Sequence, residues 1–194
     1  MSALAIGLLK KGCTVSGSDL VENDETKKLE ELGAVIFTSQ VRQNIEFVIS
    51  KFTNKLINFV VSSAIKPENE EFSYCREKNL TIKHRSEILA MLMRTYTSLA
   101  VAGSHGKTST STFLSTILEL CTSNSSSITG GIIPIYNSNC HLENTKFLVA
   151  EVDESDGTIN KYKSDIGIIN NIDFDHCDHF LNSVSYTHLR AHET

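Results

Sequence analysis

Apolar residues in the first 84 positions fall into short segments that alternate between helical and extended spacing. Residues 2–11 place leucine and isoleucine on a helical spacing and end in two lysines before Gly12, as a short helix does. Strand-like apolar segments and polar helical segments then follow one another. The predicted strands are residues 13–17, 34–37, 56–62 and 80–83, and the predicted helices are residues 22–32 and 68–78. This alternation predicts an α/β unit with a parallel sheet.

A second unit of the same type is predicted after residues 84–97. Ser86 is expected to cap a helix over residues 87–94, because its hydroxyl can accept a hydrogen bond from the first turn. Residues 98–102 form a predicted strand that leads directly into a glycine loop. A helix over 107–120, a Ser-, Thr- and Asn-rich loop over 121–127 and strands over 146–152 and 165–170 complete the prediction.

Composition narrows the classes of function without selecting one. The 194 residues are 40% hydrophobic and 21% charged, close to the average for globular proteins. A net charge of -5 argues against a nucleic-acid surface, and no apolar run approaches the roughly 20 residues that span a bilayer. The five scattered cysteines form no disulfide or zinc pattern, so we expect free thiols in a cytoplasmic protein.

The glycine loop carries the clearest chemistry. The segment Gly103-Ser104-His105-Gly106-Lys107-Thr108 lies between a predicted strand and a predicted helix. In that context backbone N–H groups turn toward phosphate oxygens, Lys107 can reach the β- and γ-phosphates, and the Thr108 hydroxyl can bind Mg²⁺. The spacing is shorter than GxxxxGK[ST], and the bare motif could be a chance turn. The flanking strand and helix favour an ATP-phosphate loop, with Ser109 as a neighbour.

Polar residues follow two later strands, where ligands of open parallel sheets are bound. The first set is Glu151 to Asp156, and the second is Asn170 to His179. Carboxylate oxygens suit Mg²⁺, although a solvated acidic turn is an alternative for the first set. A zinc site from His176, Cys177 and His179 is the weaker alternative for the second, since no further ligand pair with suitable spacing is present.

Taken in order along residues 1–182, these motifs resemble the Mur ligase family, ATP-dependent ligases of bacterial cell-wall synthesis. Members of the family that add the later amino acids of the cell-wall peptide usually carry Asn where His105 stands. This histidine therefore makes the chain resemble the other members more closely. The matching segments are SGSD at 16–19, VVSSAI at 60–65, RSEIL at 85–89, GSHGKTST at 103–110, GG at 130–131, AEVDESDG at 150–157 and NIDFDH at 171–176.

The resemblance implies a reaction and a set of site residues. ATP and Mg²⁺ would drive the joining of L-alanine to the lactyl carboxylate of UDP-N-acetylmuramate through an acyl-phosphate. The implied catalytic residues are Lys107, His105, Glu151 and His176, and the implied Mg²⁺ ligands are Thr108, Glu151 and His176. ATP would be bound by Gly103, Ser104, His105, Gly106, Lys107, Thr108, Ser109 and Asn171. The UDP-sugar and amino acid would contact Ser18, Asp19, Ser63, Ala64, Arg85, Asp153, Glu154 and Ser155.

The resemblance also predicts the domain organisation. Residues 1–84 would form a Rossmann-like UDP-sugar domain without its first strand and Gly-rich turn, and residues 85–182 part of an ATP-binding, P-loop-type α/β domain. We expect residues 183–194 to be a foreign or misjoined tail, and the chain alone to lack full ligase activity. A ligase that recycles a tripeptide onto the same UDP-sugar, a P-loop kinase or NTPase, and a non-enzymatic nucleotide-binding module remain alternatives.

Overall fold

The computed structural model describes residues 1–122, 124–153 and 158–172. Contacts divide the chain into two compact units, residues 1–88 and the chain from residue 89 onward. We describe each unit by itself.

The first unit alternates helices with very short strands. Strand β1 pairs in parallel with β2, and β3 pairs in parallel with β4, which gives two separate two-stranded sheets. The elements are α1 (Ser2–Lys10), β1 (Ser16–Ser18), α2 (Asp24–Glu31), β2 (Val35–Phe37), α3 (Arg42–Lys51), β3 (Phe59–Val61), α4 (Glu70–Glu77) and β4 (Ile82–His84). Helix α5 (Arg85–Met93) begins directly after β4. Gly12 follows α1 at φ 79°, the left-handed conformation that ends many helices.

A carboxylate on α4 connects several elements of this unit. Glu71 accepts a hydrogen bond from the Ser18 hydroxyl at 2.6 Å and another from the Asn44 side-chain amide at 2.7 Å. Asn44 is buried on α3 and also donates to the backbone of Ser39. One carboxylate therefore holds the end of β1 and the buried face of α3 against α4. The neighbouring thiol of Cys75 has a pKa raised to about 11, first by burial and then by the Glu71 charge.

The second unit is built on one five-stranded sheet with the order β7-β6-β8-β5-β9. Strand β5 lies between β8 and β9, and both neighbours run parallel to it. Strand β6 is parallel to β8, whereas the edge strand β7 is antiparallel to β6. The elements are β5 (Thr97–Ala102), α6 (Lys107–Thr122), β6 (Ser125–Ile133), β7 (Ser138–His141), β8 (Phe147–Glu151) and β9 (Ile166–Ile169), with 3-10 turns at Pro134–Tyr136 and Ile159–Lys161.

Small hydroxyl side chains allow α6 to pack closely within this unit. Ser111 and Ser115 are fully buried, and their hydroxyls donate to backbone carbonyls four residues earlier, those of Lys107 and Ser111. Each hydroxyl therefore has a partner inside the helix and needs no water. The apolar core of the sheet, on its two faces, includes strand residues such as Val101, Leu148 and Val149, all inaccessible to solvent.

The prediction of an α/β fold with parallel strands is confirmed. The predicted loop over 121–127 is wrong, because α6 continues to Thr122 and β6 already begins at Ser125. The serines of β6 are buried, and Ser126 is satisfied by the Thr145 hydroxyl at 2.7 Å. The Ser125 hydroxyl is bonded to Tyr136, so these two serines find partners outside their own segment and their polarity misled the prediction.

Three smaller predictions also differ from the structure. Ser86 lies inside α5 rather than at its N-cap, and it is buried beside the His84 ring. The strand predicted from residue 56 begins only at Phe59, and Leu56 is 89% exposed. Helix α3 was not predicted at all, and its buried face includes the polar Asn44 beside Ile45 and Val48.

Two predictions from composition can be compared with the described part of the chain. Cys13, Cys75, Cys121 and Cys140 are all free thiols, as expected. Among the described residues, no helix combines the length and apolar character that crossing a membrane requires.

Helix α2 begins with a capping box that can be tested alone. The Asn23 side chain accepts from the Thr26 N–H at 3.0 Å, and the Thr26 hydroxyl oxygen accepts from the Asn23 N–H at 2.9 Å. We expect Asn23→Ala to lower the free energy of unfolding by about 1 kcal/mol, because an N–H at the helix start loses its partner. Urea denaturation measures this, with the exposed Asn54→Ala as the matched control. Equal stabilities of the two variants would contradict the capping role.

Candidate functional site

The candidate site is the loop of residues 103–106, which joins β5 to the N-terminus of α6. Gly103 adopts φ 132° and Gly106 φ 77°, a region of backbone space that residues with a Cβ rarely adopt. A Cβ at Gly103 would also lie 3.1 Å from the backbone N and O of Asn171. Both the conformation and the space therefore require glycine at this position.

Side-chain amides from the segment after β9 hold the loop. The His105 N–H donates to Asn171 Oδ1 at 2.9 Å, and Asn171 Nδ2 donates back to the His105 carbonyl at 3.1 Å. Asn170 Nδ2 donates to the same carbonyl at 3.2 Å. Asn171, which the sequence predicted as an ATP-binding residue, contacts the loop backbone in this structure. Asn170 was predicted only as part of the polar set after the last strand, with no role of its own.

Two sources of positive potential meet at the loop. Lys107 Nζ donates to the Gly103 carbonyl at 2.7 Å, so its ammonium group lies back over the loop. Lys107 is also the first residue of α6, whose 16 residues place a helix N-terminus at the loop. The unpaired N–H groups of a helix start and the helix dipole both favour an anion there.

Polar groups from three elements converge next to the loop. The Thr108 hydroxyl donates to Glu151 Oε1 at 3.1 Å, which joins the first turn of α6 to the end of β8. The other carboxylate oxygen, Oε2, accepts from the Gly130 N–H in β6 at 2.8 Å. Glu151 is thus oriented by two donors, and the Thr108–Glu151 pair presents oxygen ligands of the kind that Mg²⁺ prefers.

Gly130 and Gly131 allow this convergence, although the sequence analysis assigned them no role in the site. A Cβ at Gly130 would lie 3.0 Å from Glu151 Oε1, and a Cβ at Gly131 would lie 2.8 Å from the Thr108 methyl carbon. Two adjacent glycines inside a strand often mark a close approach of another group. That signal was present in the sequence and could have placed both residues in the site.

The structure therefore brings together the predicted residues of the loop with Thr108, Glu151 and Asn171. Ser104 is half-buried in the loop, and Ser109 is exposed on the first turn of α6. Asp153 is half-buried two residues beyond β8.

Three predicted site residues, Glu154, Ser155 and His176, lie outside the described residues, as does the alternative zinc set of His176, Cys177 and His179. Within the described ranges, no group of three or more His, Cys, Asp or Glu side chains is arranged to hold a metal ion.

The predicted substrate residues of the first unit lie where its parallel strands end. Ser18 closes β1 and Asp19 follows it, with Asp19 Oδ1 accepting from the Val21 N–H at 3.1 Å. Ser63 and Ala64 follow β3, and Arg85 follows β4. The Ser63 hydroxyl is 3.1 Å from His84 Nε2, and His84 Nδ1 is 2.8 Å from the Ser86 hydroxyl. His84, the last residue of β4, thus connects Ser63 after β3 with Ser86 in α5.

Two domain families match this chain. Residues 1–97 match the Mur ligase family catalytic domain, and residues 101–191 match the Mur ligase middle domain. The chain belongs to the Mur ligase family, which confirms the resemblance inferred from its motifs.

Individual relatives point to one type of ligase. The UDP-N-acetylmuramate–L-alanine ligase of Prochlorococcus marinus subsp. pastoris (strain CCMP1986 / NIES-2087 / MED4) is 71% identical over 182 residues, 94% of this chain and 38% of that protein. The protein of the same name from Synechococcus sp. (strain CC9311) is 44% identical over 182 residues, with the same shares of 94% and 38%. This chain thus spans little more than a third of these relatives.

Solved structures share the fold. The UDP-N-acetylmuramate–alanine ligase from Thermotoga maritima matches 98% of this chain and 43% of its own with a TM-score of 0.81 at 26% identity. The UDP-N-acetylmuramate:L-alanyl-γ-D-glutamyl-meso-diaminopimelate ligase from Neisseria meningitides matches 98% of this chain and 62% of its own, with a TM-score of 0.86 at 22% identity.

The close approach at Gly131 gives a direct test of the site geometry. We expect Gly131→Ala to lower the free energy of unfolding by about 1–3 kcal/mol, because the new methyl group must displace Thr108. In methyl NMR spectra the Thr108 signal should also shift. Gly167→Ala is the matched control in the same unit, since its Cβ would meet only Ser164 Oγ at 4.0 Å. An unshifted Thr108 methyl signal in Gly131→Ala would show that this contact does not exist.

Proposed function

We propose that this chain is part of an ATP-dependent ligase that joins L-alanine to UDP-N-acetylmuramate through an acyl-phosphate in peptidoglycan biosynthesis. The observation that supports it most is the relative of that name, 71% identical over 182 residues. The glycine loop at the start of α6, with Lys107 beside it, supplies the phosphate site that such a reaction requires. ATP and UDP-sugars are metabolites of the cytoplasm, so we propose that compartment.

In this proposal the loop residues Gly103 to Thr108 bind the ATP phosphates. Lys107 exchanges its bond with the Gly103 carbonyl for one to a phosphate oxygen, because its flexible side chain already lies over the loop. Its positive charge and the N–H groups of the loop and of α6 offset the charge that accumulates on the transferring phosphoryl group. Ser109 follows Thr108 on α6, and Asn171 lies on the segment after β9. Both are therefore beside this site.

The donor atoms present fit Mg²⁺. A hydroxyl from Thr108 and a carboxylate from Glu151 would hold the ion, and it would neutralise phosphate charge there. The Gly130 N–H fixes the second Glu151 oxygen, so the carboxylate is preoriented rather than mobile. His176, the third ligand implied by the family resemblance, remains a prediction.

The reaction brings several anions into one place. The lactyl carboxylate attacks the γ-phosphate of ATP and ADP leaves, which gives the acyl-phosphate. The amine of L-alanine then displaces phosphate and loses a proton to form the amide. We propose that Lys107 and the exposed His105 at the loop tip lower the repulsion between carboxylate and phosphate. Asp153, Glu154 and Ser155 are proposed substrate contacts after β8.

The UDP-sugar is proposed to bind to the strand ends of the first unit. Ser18 and Asp19 follow β1, Ser63 and Ala64 follow β3, and Arg85 follows β4. These positions agree with the rule that open parallel sheets bind ligands beyond the carboxyl ends of their strands. Arg85 would provide a positive charge for the diphosphate.

Among the alternatives, the curated relatives favour alanine over a tripeptide as the amine substrate. The two relatives described above are both named as L-alanine ligases. The tripeptide ligase structure, at 22% identity, supports the fold alone. A kinase or NTPase would share the phosphate loop but would have no reason to bind a UDP-sugar.

ATP binding through the loop is tested by Lys107→Ala. We expect its affinity for ATP to fall by roughly 10- to 100-fold, because a charged hydrogen bond to phosphate is lost. Isothermal titration calorimetry on the purified chain with Mg²⁺ measures this, and the exposed Lys163→Ala is the matched control. Unchanged ATP affinity in Lys107→Ala would argue against the proposed site.

UDP-sugar binding is tested separately on the first unit. We expect the chain to bind UDP-N-acetylmuramate and Asp19→Ala to weaken that binding by about tenfold, through loss of a charged acceptor for a ribose hydroxyl. Asp24→Ala removes the same charge from the same unit and serves as the control. ATP binding that persists without any UDP-sugar binding would favour the kinase or NTPase alternative.

A further inference from the structure

Two consecutive side chains after β9 hold a single peptide carbonyl of the glycine loop. Asn170 Nδ2 and Asn171 Nδ2 donate to the His105 carbonyl at 3.2 and 3.1 Å. Asn171 also accepts from the His105 N–H, so it contacts both backbone groups of that residue. Asn170 has no such second bond to His105, and neither the motifs nor the family resemblance gave it a role.

The planarity of the peptide bond gives this contact a consequence for the next residue. In a trans peptide the carbonyl of His105 and the N–H of Gly106 point in opposite directions, and the described chain contains no cis peptide. A carbonyl fixed toward Asn170 and Asn171 therefore directs the Gly106 N–H away from them. The two asparagine amides thus set the orientation of the Gly106 N–H from the opposite edge of the same peptide group.

Glycine makes such a restraint necessary. Gly103 and Gly106 flank the loop at φ 132° and 77°, and glycine crosses between conformations at lower cost than any other residue. A single hydrogen bond would restrain the peptide less than two donors on one oxygen. Asn170 is itself anchored, because its backbone N–H donates to the Ala102 carbonyl at 3.0 Å, next to the β5–β9 pairing.

We propose that Asn170 is a positioning residue of the phosphate loop: its side-chain amide keeps the Gly106 N–H oriented to donate to a phosphate oxygen of ATP. This inference rests on the proposed ATP site. The His105 N–H is already bonded to Asn171 Oδ1, so Gly106 and the first turn of α6 supply the donors for phosphate. Asn170 acts through the loop and does not contact the nucleotide.

Calorimetry of ATP binding to the full chain, with Mg²⁺ present, is the first test. We expect Asn170→Ala to bind ATP about five- to tenfold more weakly than the unchanged chain, the cost of one lost hydrogen bond. Asn160→Ala, an exposed asparagine in the same unit, should bind as the unchanged chain does. ATP affinity in Asn170→Ala within twofold of the unchanged chain, while Lys107→Ala loses affinity, overturns this inference alone.

NMR without nucleotide separates positioning of the loop from a general effect on stability. We expect Asn170→Ala to shift the carbonyl ¹³C signal of His105 and the amide signal of Gly106, because the carbonyl loses a donor. Asn160→Ala should shift neither. Unshifted His105 and Gly106 signals overturn the inference even if ATP binding weakens.

A second variant covers the case in which Asn170→Ala does not fold. Asn170→Asp keeps the size of the side chain but places an acceptor against the His105 carbonyl, so we expect the same two signals to shift at least as far. Absence of ATP binding by the unchanged chain would overturn the proposed ATP site together with this inference. Weaker ATP binding in the Asn170 variants and in Lys107→Ala, with Asn160→Ala unchanged, would support both.

Discussion

The arrangement of the site depends on the parallel pairing of β5 with both β8 and β9. Because all three strands run in one direction, their carboxyl ends meet at one edge of the sheet. The glycine loop follows β5, Glu151 ends β8, and Asn170 and Asn171 follow β9. Residues separated by up to 66 positions therefore come within hydrogen-bond distance. Without this pairing, the loop would have neither the amides that hold it nor the carboxylate beside it.

The arrangement at the carboxyl ends of β5, β8 and β9 also requires small residues. Gly103 allows the segment after β9 to pass where a Cβ would lie 3.1 Å from the Asn171 backbone, and Gly131 allows the Thr108 methyl group to approach. Ser111 and Ser115 on α6 serve the same purpose deeper in the unit, where their hydroxyls bond to their own helix. Close packing without large side chains places backbone donors and short polar groups within reach of one another. This density of donors and acceptors suits a polyanionic ligand such as the phosphates of ATP.

The two units contribute different parts of the proposed ligase. The second holds a phosphate loop that fits ATP and a Thr–Glu oxygen pair that fits Mg²⁺. The first presents hydroxyl, carboxylate and guanidinium groups at strand ends, which fit a UDP-sugar. In the first unit Glu71 fixes Ser18, and His84 lies between Ser63 and Ser86, so the groups proposed to meet substrate are themselves held by hydrogen bonds. Both units match Mur ligase domains, and the proposed function assigns the two sites to one reaction.

The sequence by itself determined the α/β class, the loop and the family, because these depend on local patterns. Strand–glycine–helix order, the residues GSHGKT and the acidic end of β8 are readable within a few positions. Only the tertiary structure decided that Ser125–Ser127 belong to a strand, that Gly130 orients Glu151 and that Asn170 holds the His105 carbonyl. Each of these depends on a partner distant in the sequence: Phe147 for Ser125, Glu151 for Gly130 and His105 for Asn170. Such partners are brought together by the order of the strands in the sheet, which patterns within a few positions do not encode.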